Sequence, residues 1–123
     1  MWKEHGAQAD FVVVYLREAH AVDGEWPLRD EGQPVIEEPI DLGERRAAAQ
    51  SCLGTLSLAP MPAVLDEMDD AVGTAWEAWP DRLALIDAEG QVAYRGGPGP
   101  FGFDPEELES ALRRELGLPP AAR

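Results

Sequence analysis

The 123 residues of this chain include ten basic and 24 acidic side chains, giving a formal charge of −14, and 45% of the residues are apolar. This length fits one domain with one core, and the acidic charge repels phosphate backbones and anionic lipids, so we expect neither a nucleic-acid nor a membrane partner. The longest apolar run is too short to span a membrane, and the first residues lack the apolar segment of a secretory signal. We therefore expect a cytoplasmic location. The single cysteine excludes an internal disulfide and a thiolate zinc site, and we expect no cofactor or metal.

The first third of the chain predicts a helix end, a strand and a long loop. Residues 2–8 have the pattern of the last turns of a helix, and residues 11–16 form a continuous apolar run typical of a strand that is covered on both faces. Residues 17–40 are polar and rich in proline and glycine, which indicates a loop. Loops of this length in compact domains are usually functional or partly disordered.

A helix is predicted to begin at Asp41, whose side chain can cap the first turn while Glu44 closes a capping box. An apolar stripe follows at helical spacing, made of Leu42, Ala49, Cys52, Leu53 and Leu56. We interpret Cys52 as a small buried side chain of this stripe and not as a reactive thiol.

The second half predicts shorter elements. Residues 63–65 form a short strand, the acidic segment 66–70 is interpreted as a solvated turn because it lacks the ligand pattern of a calcium loop, and residues 71–79 form a short helix. Strands at 83–86 and 91–94 are joined by a turn containing Gly90. The last helix has Asp104 as N-cap, a second capping box through Glu107, an ion pair from Glu109 to Arg113, and Gly117 as its stop.

Two motifs resemble the iodothyronine deiodinase family. They are Tyr15-Leu-Arg-Glu-Ala-His20, followed by Asp23-Gly24 and Trp26, and Tyr94-Arg-Gly-Gly-Pro-Gly-Pro100. The resemblance runs from about residue 2 to residue 116 and implies an α/β, thioredoxin-like fold. We therefore expect a single domain over residues 1–123, with a mixed sheet flanked by helices whose first, central strand is missing, and with residues 17–40 as the loop beside the active site.

The resemblance also implies the chemistry. Members of the family use a selenocysteine or cysteine nucleophile, and the Glu and His that follow the next strand handle protons; here these are Glu18 and His20. A histidine of near-neutral pKa can donate a proton to a leaving carbon, and a nearby carboxylate can orient it. We assign substrate binding to Trp26, Arg95, Gly97 and Pro98. The implied partners are a small-molecule substrate and an external thiol reductant.

Two departures from the family pattern leave alternatives open. The nucleophile loop is missing, so we expect a deiodinase-like thiol or selenol oxidoreductase domain that is inactive as given; a selenocysteine codon taken for a stop would place the start at Met1. The alternative is a non-catalytic thioredoxin-like binding or assembly module, in which His20 is only a solvated residue at a strand end. The family's animal members carry a further histidine in the long loop, and residues 35–39 have none, which argues against iodothyronine itself as the substrate.

The same comparison gives three structural expectations. A missing central strand leaves two sheet edges unpaired, so we expect a homo-oligomer, either a dimer or a strand-exchanged assembly. Pro80 lies near the place where thioredoxins hold a cis-proline, but its spacing to the next strand is one residue too long and favours a trans bond. Residues 96–100 lack the Lys-Ser/Thr of a phosphate loop and indicate a rigid connection.

Overall fold

A computed structural model of the chain describes residues 1–18, 37–56, 58 and 61–122. The described part is a mixed α/β structure. Its elements, in chain order, are α1 (Trp2–His5), β1 (Val13–Tyr15), α2 (Leu42–Thr55), β2 (Ala63–Leu65), α3 (Ala71–Ala75), β3 (Ala84–Ile86), β4 (Val92–Arg95) and α4 (Pro105–Glu115). In this part of the chain, no helix is long and apolar enough to span a bilayer.

The strands form two separate pairs. β1 and β2 are parallel, with Val14 opposite Val64, and β3 and β4 are antiparallel, with Leu85 opposite Tyr94. The sequence predicts one mixed sheet, whereas the described residues contain two two-stranded sheets. Each pairing has its own connection, the α2 crossover for the first and a tight turn for the second, and neither connection joins β1 to β3.

The core is small and is built around α2 and α4. Four apolar side chains are buried in the described residues: Ala48, Ala49, Ala111 and Leu112. The predicted apolar stripe of α2 is confirmed at Ala49, which is buried, but is wrong at its two ends, since Leu42 and Leu56 are 37% and 57% exposed. The buried face of α2 is formed by Ala48 and Ala49, whose small side chains allow close approach to neighbouring elements, and α2 packs against β2. The expectation that residues 11–16 are covered on both faces is also wrong, because Val14 is 38% exposed.

Both long helices begin where the sequence predicts, at an aspartate cap. The Asp41 carboxylate accepts the N–H of Glu44 at 2.8 Å, and the Asp104 carboxylate accepts the N–H groups of Glu106 and Glu107. At the other end of α4, Gly117 has a φ of +69°, in the left-handed region that glycine adopts without steric cost.

The two expected capping boxes are modified. The Glu44 carboxylate accepts the N–H of Ile40 at 2.7 Å, one residue before the N-cap. The Glu107 carboxylate accepts the Tyr94 hydroxyl at 3.0 Å and so joins α4 to β4. Each carboxylate therefore accepts from a donor other than the N-cap N–H of a capping box: a neighbouring N–H for Glu44 and a tertiary hydroxyl for Glu107.

The acidic segment 66–70 is a solvated turn only in part, because Glu67, Met68 and Asp69 are exposed whereas Asp66 is not. Asp66 is fully buried, and its carboxylate accepts the N–H groups of Glu67, Val72 and Gly73 at 2.8, 2.9 and 2.7 Å. The buried Arg45 guanidinium of α2 donates to the main-chain carbonyls of Asp66 and Glu67 and, at 3.0 Å, to the Asp70 carboxylate. The prediction fails at Asp66 because no local pattern places its partners in α2 and in the first turn of α3 nearby.

The rest of the second half differs from the prediction at two places. α3 ends at Ala75, earlier than expected, and Glu77 has a positive φ of 48° just beyond it. The Trp79–Pro80 bond is cis, contrary to the expected trans bond. An X-Pro bond prefers trans by only about 0.5–1 kcal/mol, so tertiary contacts of Trp79 can select the isomer where a spacing argument cannot. The turn after β3 has Gly90 at φ +82°, which confirms the hairpin glycine.

Candidate active site

The candidate site lies where β1 ends. Parallel strands present their carboxyl ends at one edge, which is where open α/β sheets bind ligands. The N–H of Asp66 donates to the Tyr15 carbonyl at 2.9 Å, so the pairing of β1 with β2 continues to the last residue of β1. Beyond that point the chain turns, and the Tyr15 hydroxyl donates a hydrogen bond to the half-buried Glu18 carboxylate. The predicted acid–base residue Glu18 therefore has an anchored side chain.

The electrostatics of this pair favour a protonated phenol. Burial raises the pKa of Tyr15 far above its ordinary value, and the hydrogen bond to Glu18 and the charge of that carboxylate raise it further. Tyr15 therefore remains a hydrogen-bond donor at any physiological pH, and it fixes one oxygen of Glu18. A carboxylate held in this way can orient a neighbouring base or relay a proton without moving.

Cys52 shares the surroundings of Glu18. Its thiol is half-buried on α2, and burial, followed by the negative charge of Glu18, raises its pKa above the ordinary value. The thiolate is the reactive form of cysteine, so both causes make this thiol a weaker nucleophile at neutral pH. This supports the interpretation of Cys52 as structural, although it is less buried than the sequence predicts.

A cleft opens beside the end of β1, with the Trp79 side chain as one wall. The Trp79 indole N–H donates to the Arg17 carbonyl at 3.1 Å, and the Arg17 guanidinium carbon lies 4.1 Å from the centroid of the same ring. The cleft has a volume of about 270 Å³ and is also lined by Leu16, Thr74 and the buried Asp66. An aromatic wall with a stacked cation suits a small aromatic ligand, whereas the carboxylates of Asp66 and Asp70 disfavour an anionic one.

The residues assigned to substrate binding in the second motif are held by the protein itself. The Arg95 guanidinium donates to the Trp76 carbonyl at 2.8 Å and lies 3.6 Å from the Glu77 carboxylate. Gly97 packs against Gly102, where a methyl group on either residue would meet the other's backbone at 3.2 Å or less. Among the described residues, no hydrogen bond or ion pair connects Arg95, Gly97 or Pro98 to Glu18.

The glycine-rich connection is tightly folded, as the sequence predicts. The N–H of Gly102 donates to the Pro98 carbonyl at 2.9 Å, and the N–H of Gly99 donates to the Asp81 carbonyl at 3.0 Å. The Arg82 guanidinium also donates to the Gly96 carbonyl. These contacts fix the connection between β4 and α4 as a rigid segment.

Two of the predicted site residues, His20 and Trp26, lie outside the described residues. Sequence reasoning missed three others that the structure places at the site: Tyr15, Arg17 and Trp79. Tyr15 and Arg17 belong to the first motif, so their place near Glu18 in the sequence could have marked them as candidate site residues. Trp79 lies 62 residues from Arg17 along the chain, and in the sequence it is marked only by its place before a proline and by the weaker resemblance of residues 78–82 to the family.

Comparison with known proteins identifies the same family that the two sequence motifs resemble. The family model described as iodothyronine deiodinase matches residues 1–116. The chain is 36% identical over 112 residues to type I iodothyronine deiodinase of Xenopus laevis, covering 91% of this chain and 42% of that protein. It is 32% identical over 117 residues to type II iodothyronine deiodinase of Homo sapiens, covering 93% and 42%, and 38% identical over 109 residues to thyroxine 5-deiodinase of Sparus aurata, covering 86% and 38%. The chain thus spans about two fifths of the length of these curated relatives, and it belongs to the iodothyronine deiodinase family.

Proposed function

We propose that this chain is a thioredoxin-like domain of a deiodinase-like oxidoreductase that removes halogen reductively or reduces a peroxide-type group. The observation that carries the proposal is the hydrogen bond from Tyr15 to Glu18 at the end of β1, within the motif that ends in His20. Membership of the family supports the class of reaction. The relatives are named for iodothyronine and thyroxine deiodination, and the substrate of this chain is proposed only as a small molecule that fits beside Trp79.

The proposed reaction needs a nucleophile and a proton donor. A selenolate or thiolate attacks the halogen of a carbon–halogen bond; the carbon keeps the bonding electron pair and takes a proton, while the halogen leaves bound to selenium or sulfur. Two external thiols then release the halide, become a disulfide and restore the selenol or thiol. We assign the proton to His20, with Glu18 orienting it, because the Tyr15 hydroxyl already fixes Glu18 at the strand end.

The nucleophile is not assigned to the thiol of this sequence. Cys52 has a raised pKa because of burial and the charge of Glu18, which is the reverse of the lowered pKa that activates catalytic cysteines. This observation also favours the second candidate, a non-catalytic binding or assembly module of the same fold. The two candidates differ in whether a selenol or thiol outside these 123 residues acts at the end of β1.

The test compares the 123-residue chain with a protein expressed together with the coding sequence upstream of Met1. We expect thiol-dependent dehalogenation or peroxide reduction from the longer protein and none from the 123-residue chain. In the longer protein, His20→Ala should lower turnover by about 10²–10⁴, the usual contribution of a positioned acid–base group. Glu18→Gln should cost less, because the amide oxygen can still accept the Tyr15 hydroxyl.

The matched control is Glu89→Gln, which removes an exposed carboxylate in the turn between β3 and β4. Unchanged turnover in His20→Ala would remove that histidine from the mechanism. Activity in the 123-residue chain that is lost in Cys52→Ser would show that Cys52 is the nucleophile. Inactivity of the longer protein with substrate binding retained would leave the binding module as the function. We also propose that this protein is cytoplasmic and that it forms a homo-oligomer.

A further inference from the structure

His5, the last residue of α1, is a buried imidazole far from the candidate active site in the sequence. Its side chain is only 5% exposed, and neither ring nitrogen has a hydrogen-bond partner among the described residues. Leaving a buried polar side chain without a partner destabilises the folded state. Buried polar atoms in native proteins nearly always have a partner, so this imidazole requires an explanation.

Two carboxylates face the same ring nitrogen. His5 Nε2 lies 3.8 Å from Glu4 Oε2 and 3.8 Å from Glu109 Oε1, and the three ligand atoms all lie within 4.8 Å of one another. These separations are too long for N–H···O hydrogen bonds, which are about 2.7–3.2 Å. They are close to the separation of about 3.4 Å between ligands of a tetrahedral ion with bonds of about 2.0–2.2 Å.

We propose that Glu4, His5 and Glu109 bind one divalent transition-metal ion of the Zn²⁺ class. An imidazole nitrogen selects against Mg²⁺ and Ca²⁺, which prefer oxygen ligands, while two carboxylates and one imidazole suit Zn²⁺. Three protein ligands leave a fourth position for water. The sequence excludes a thiolate zinc site, but this donor set contains no sulfur.

The surroundings of the site are compatible with a cation. The two carboxylates contribute two negative charges, and the chain as a whole has a formal charge of −14, which attracts cations. The Arg113 guanidinium lies 3.8 Å from Glu109 Oε1 on the next turn of α4. Because that arginine is the competing partner of Glu109, its removal should strengthen metal binding.

The proposed ion would join the two ends of the chain. Glu4 and His5 belong to α1, which has four residues, and Glu109 belongs to α4. A helix of four residues is not stable alone in water, since isolated helices shorter than about 12–15 residues are marginal. A metal bridge to α4 would hold α1 in place, so the site is structural and independent of the proposed catalysis.

The experiment is a titration of the purified chain with ZnCl₂ by isothermal calorimetry, together with thermal unfolding at each Zn²⁺ concentration. We expect one ion per chain, a melting temperature that rises with Zn²⁺, and no displacement by excess Mg²⁺. His5→Ala should abolish binding. Glu109→Gln and the well-exposed Glu4→Gln should each weaken it by at least about 10–100-fold, the cost of losing even an outer-shell partner, and Arg113→Gln should strengthen it.

Two controls separate this site from the general acidity of the surface. Glu115→Gln removes the same charge from the exposed last residue of α4, six residues beyond Glu109. His20→Ala removes the other imidazole of the chain. Both variants should bind Zn²⁺ as the parent does. Should His5→Ala not fold, Glu4→Gln still decides, because its side chain is 66% exposed. The absence of binding at micromolar Zn²⁺, or equal affinity in Glu4→Gln and the parent, would overturn the proposal.

Discussion

Asp66→Asn is the substitution for which the structure gives the clearest expectation. The Asp66 carboxylate is fully buried and accepts three backbone N–H groups. An asparagine keeps the oxygen that serves Glu67 and Val72 but points an NH₂ group at the Gly73 N–H, which lies 2.7 Å away. Two donors then face each other in a buried place.

The magnitude follows from these three bonds. Losing the bond to Gly73 costs about 1.5–3 kcal/mol, the usual value for a hydrogen bond to a charged group. The other two bonds change from charge-assisted to neutral, which roughly halves their strength and adds about 1 kcal/mol each. The sum is about 3–5 kcal/mol, a large part of the 5–15 kcal/mol by which domains of this kind are stable.

The assay is urea unfolding followed by tryptophan fluorescence. At an m-value of about 1.5 kcal/mol/M, the midpoint should fall by roughly 2–3 M with m unchanged. Glu67→Gln is the control, because it removes the neighbouring exposed carboxylate and should change stability by less than about 0.5 kcal/mol. Equal midpoints in the two variants would refute the reasoning, since they would show that the buried carboxylate does not hold the turn.

Three further predictions follow from the same structure. Gly102→Ala should lower the free energy of unfolding by about 1–3 kcal/mol, as overpacking does, because its methyl group would lie 2.3 Å from the Gly97 carbonyl carbon. Gly54→Ala, in open space within α2, should instead raise it by about 0.5–1 kcal/mol. Equal changes in the two variants, measured by urea unfolding, would contradict the close approach of Gly102 to Gly97. Stability should fall as the pH rises past the ordinary pKa values of 9.0 for Cys52 and 10.0 for Tyr15, because the folded chain has raised pKa values and the unfolded chain therefore loses these protons first. The double variant Cys52→Ser/Tyr15→Phe should lose less stability over this alkaline range. An unchanged slope of stability against pH in the double variant would contradict this explanation. Light scattering at micromolar concentration should give a dimer or larger assembly, because β1 and β3 each have a second edge without a strand partner among the described residues; a monomeric mass with a cooperative thermal transition would show that the sheets need no partner chain.

The elements that the sequence predicts well are those whose signals are local. Asp104 and Pro105 mark the start of α4 and Gly117 its end, and all three have the expected roles. The hairpin turn likewise depends on Gly90, whose positive φ is required by the turn itself. In each case the residue that decides the structure lies within a few positions of the structure that it decides.

Several of the failures involve a partner that is distant in the chain. Arg45 is buried on α2 because its guanidinium meets carbonyls and a carboxylate 21 to 25 residues further on, and no helical periodicity predicts a buried arginine. The prediction of a solvated Asp66 fails for the same reason, because its partners in α2 and α3 are not encoded by the acidic segment itself. At the candidate site, the motif marks Glu18 as a candidate residue that stays a prediction. The wall that Trp79 forms could not be predicted, since it depends on how the segment after α3 returns to β1.

The placement of the cleft has a consequence for how the site is held together. Trp79 follows α3 and precedes β3, and its indole meets Arg17 just beyond β1; Arg95 at the end of β4 reaches back to the Trp76 carbonyl beside α3. These contacts join the β1–β2 pair to the β3–β4 pair through side chains, whereas each pair is held internally by backbone hydrogen bonds. A junction made of a few partly exposed polar contacts opens at a lower free energy than a strand pair does. Glu18 is fixed by Tyr15 on the β1 side of this junction, so in the proposed function the acid–base residue and the Trp79 wall of the cleft belong to different parts of the structure.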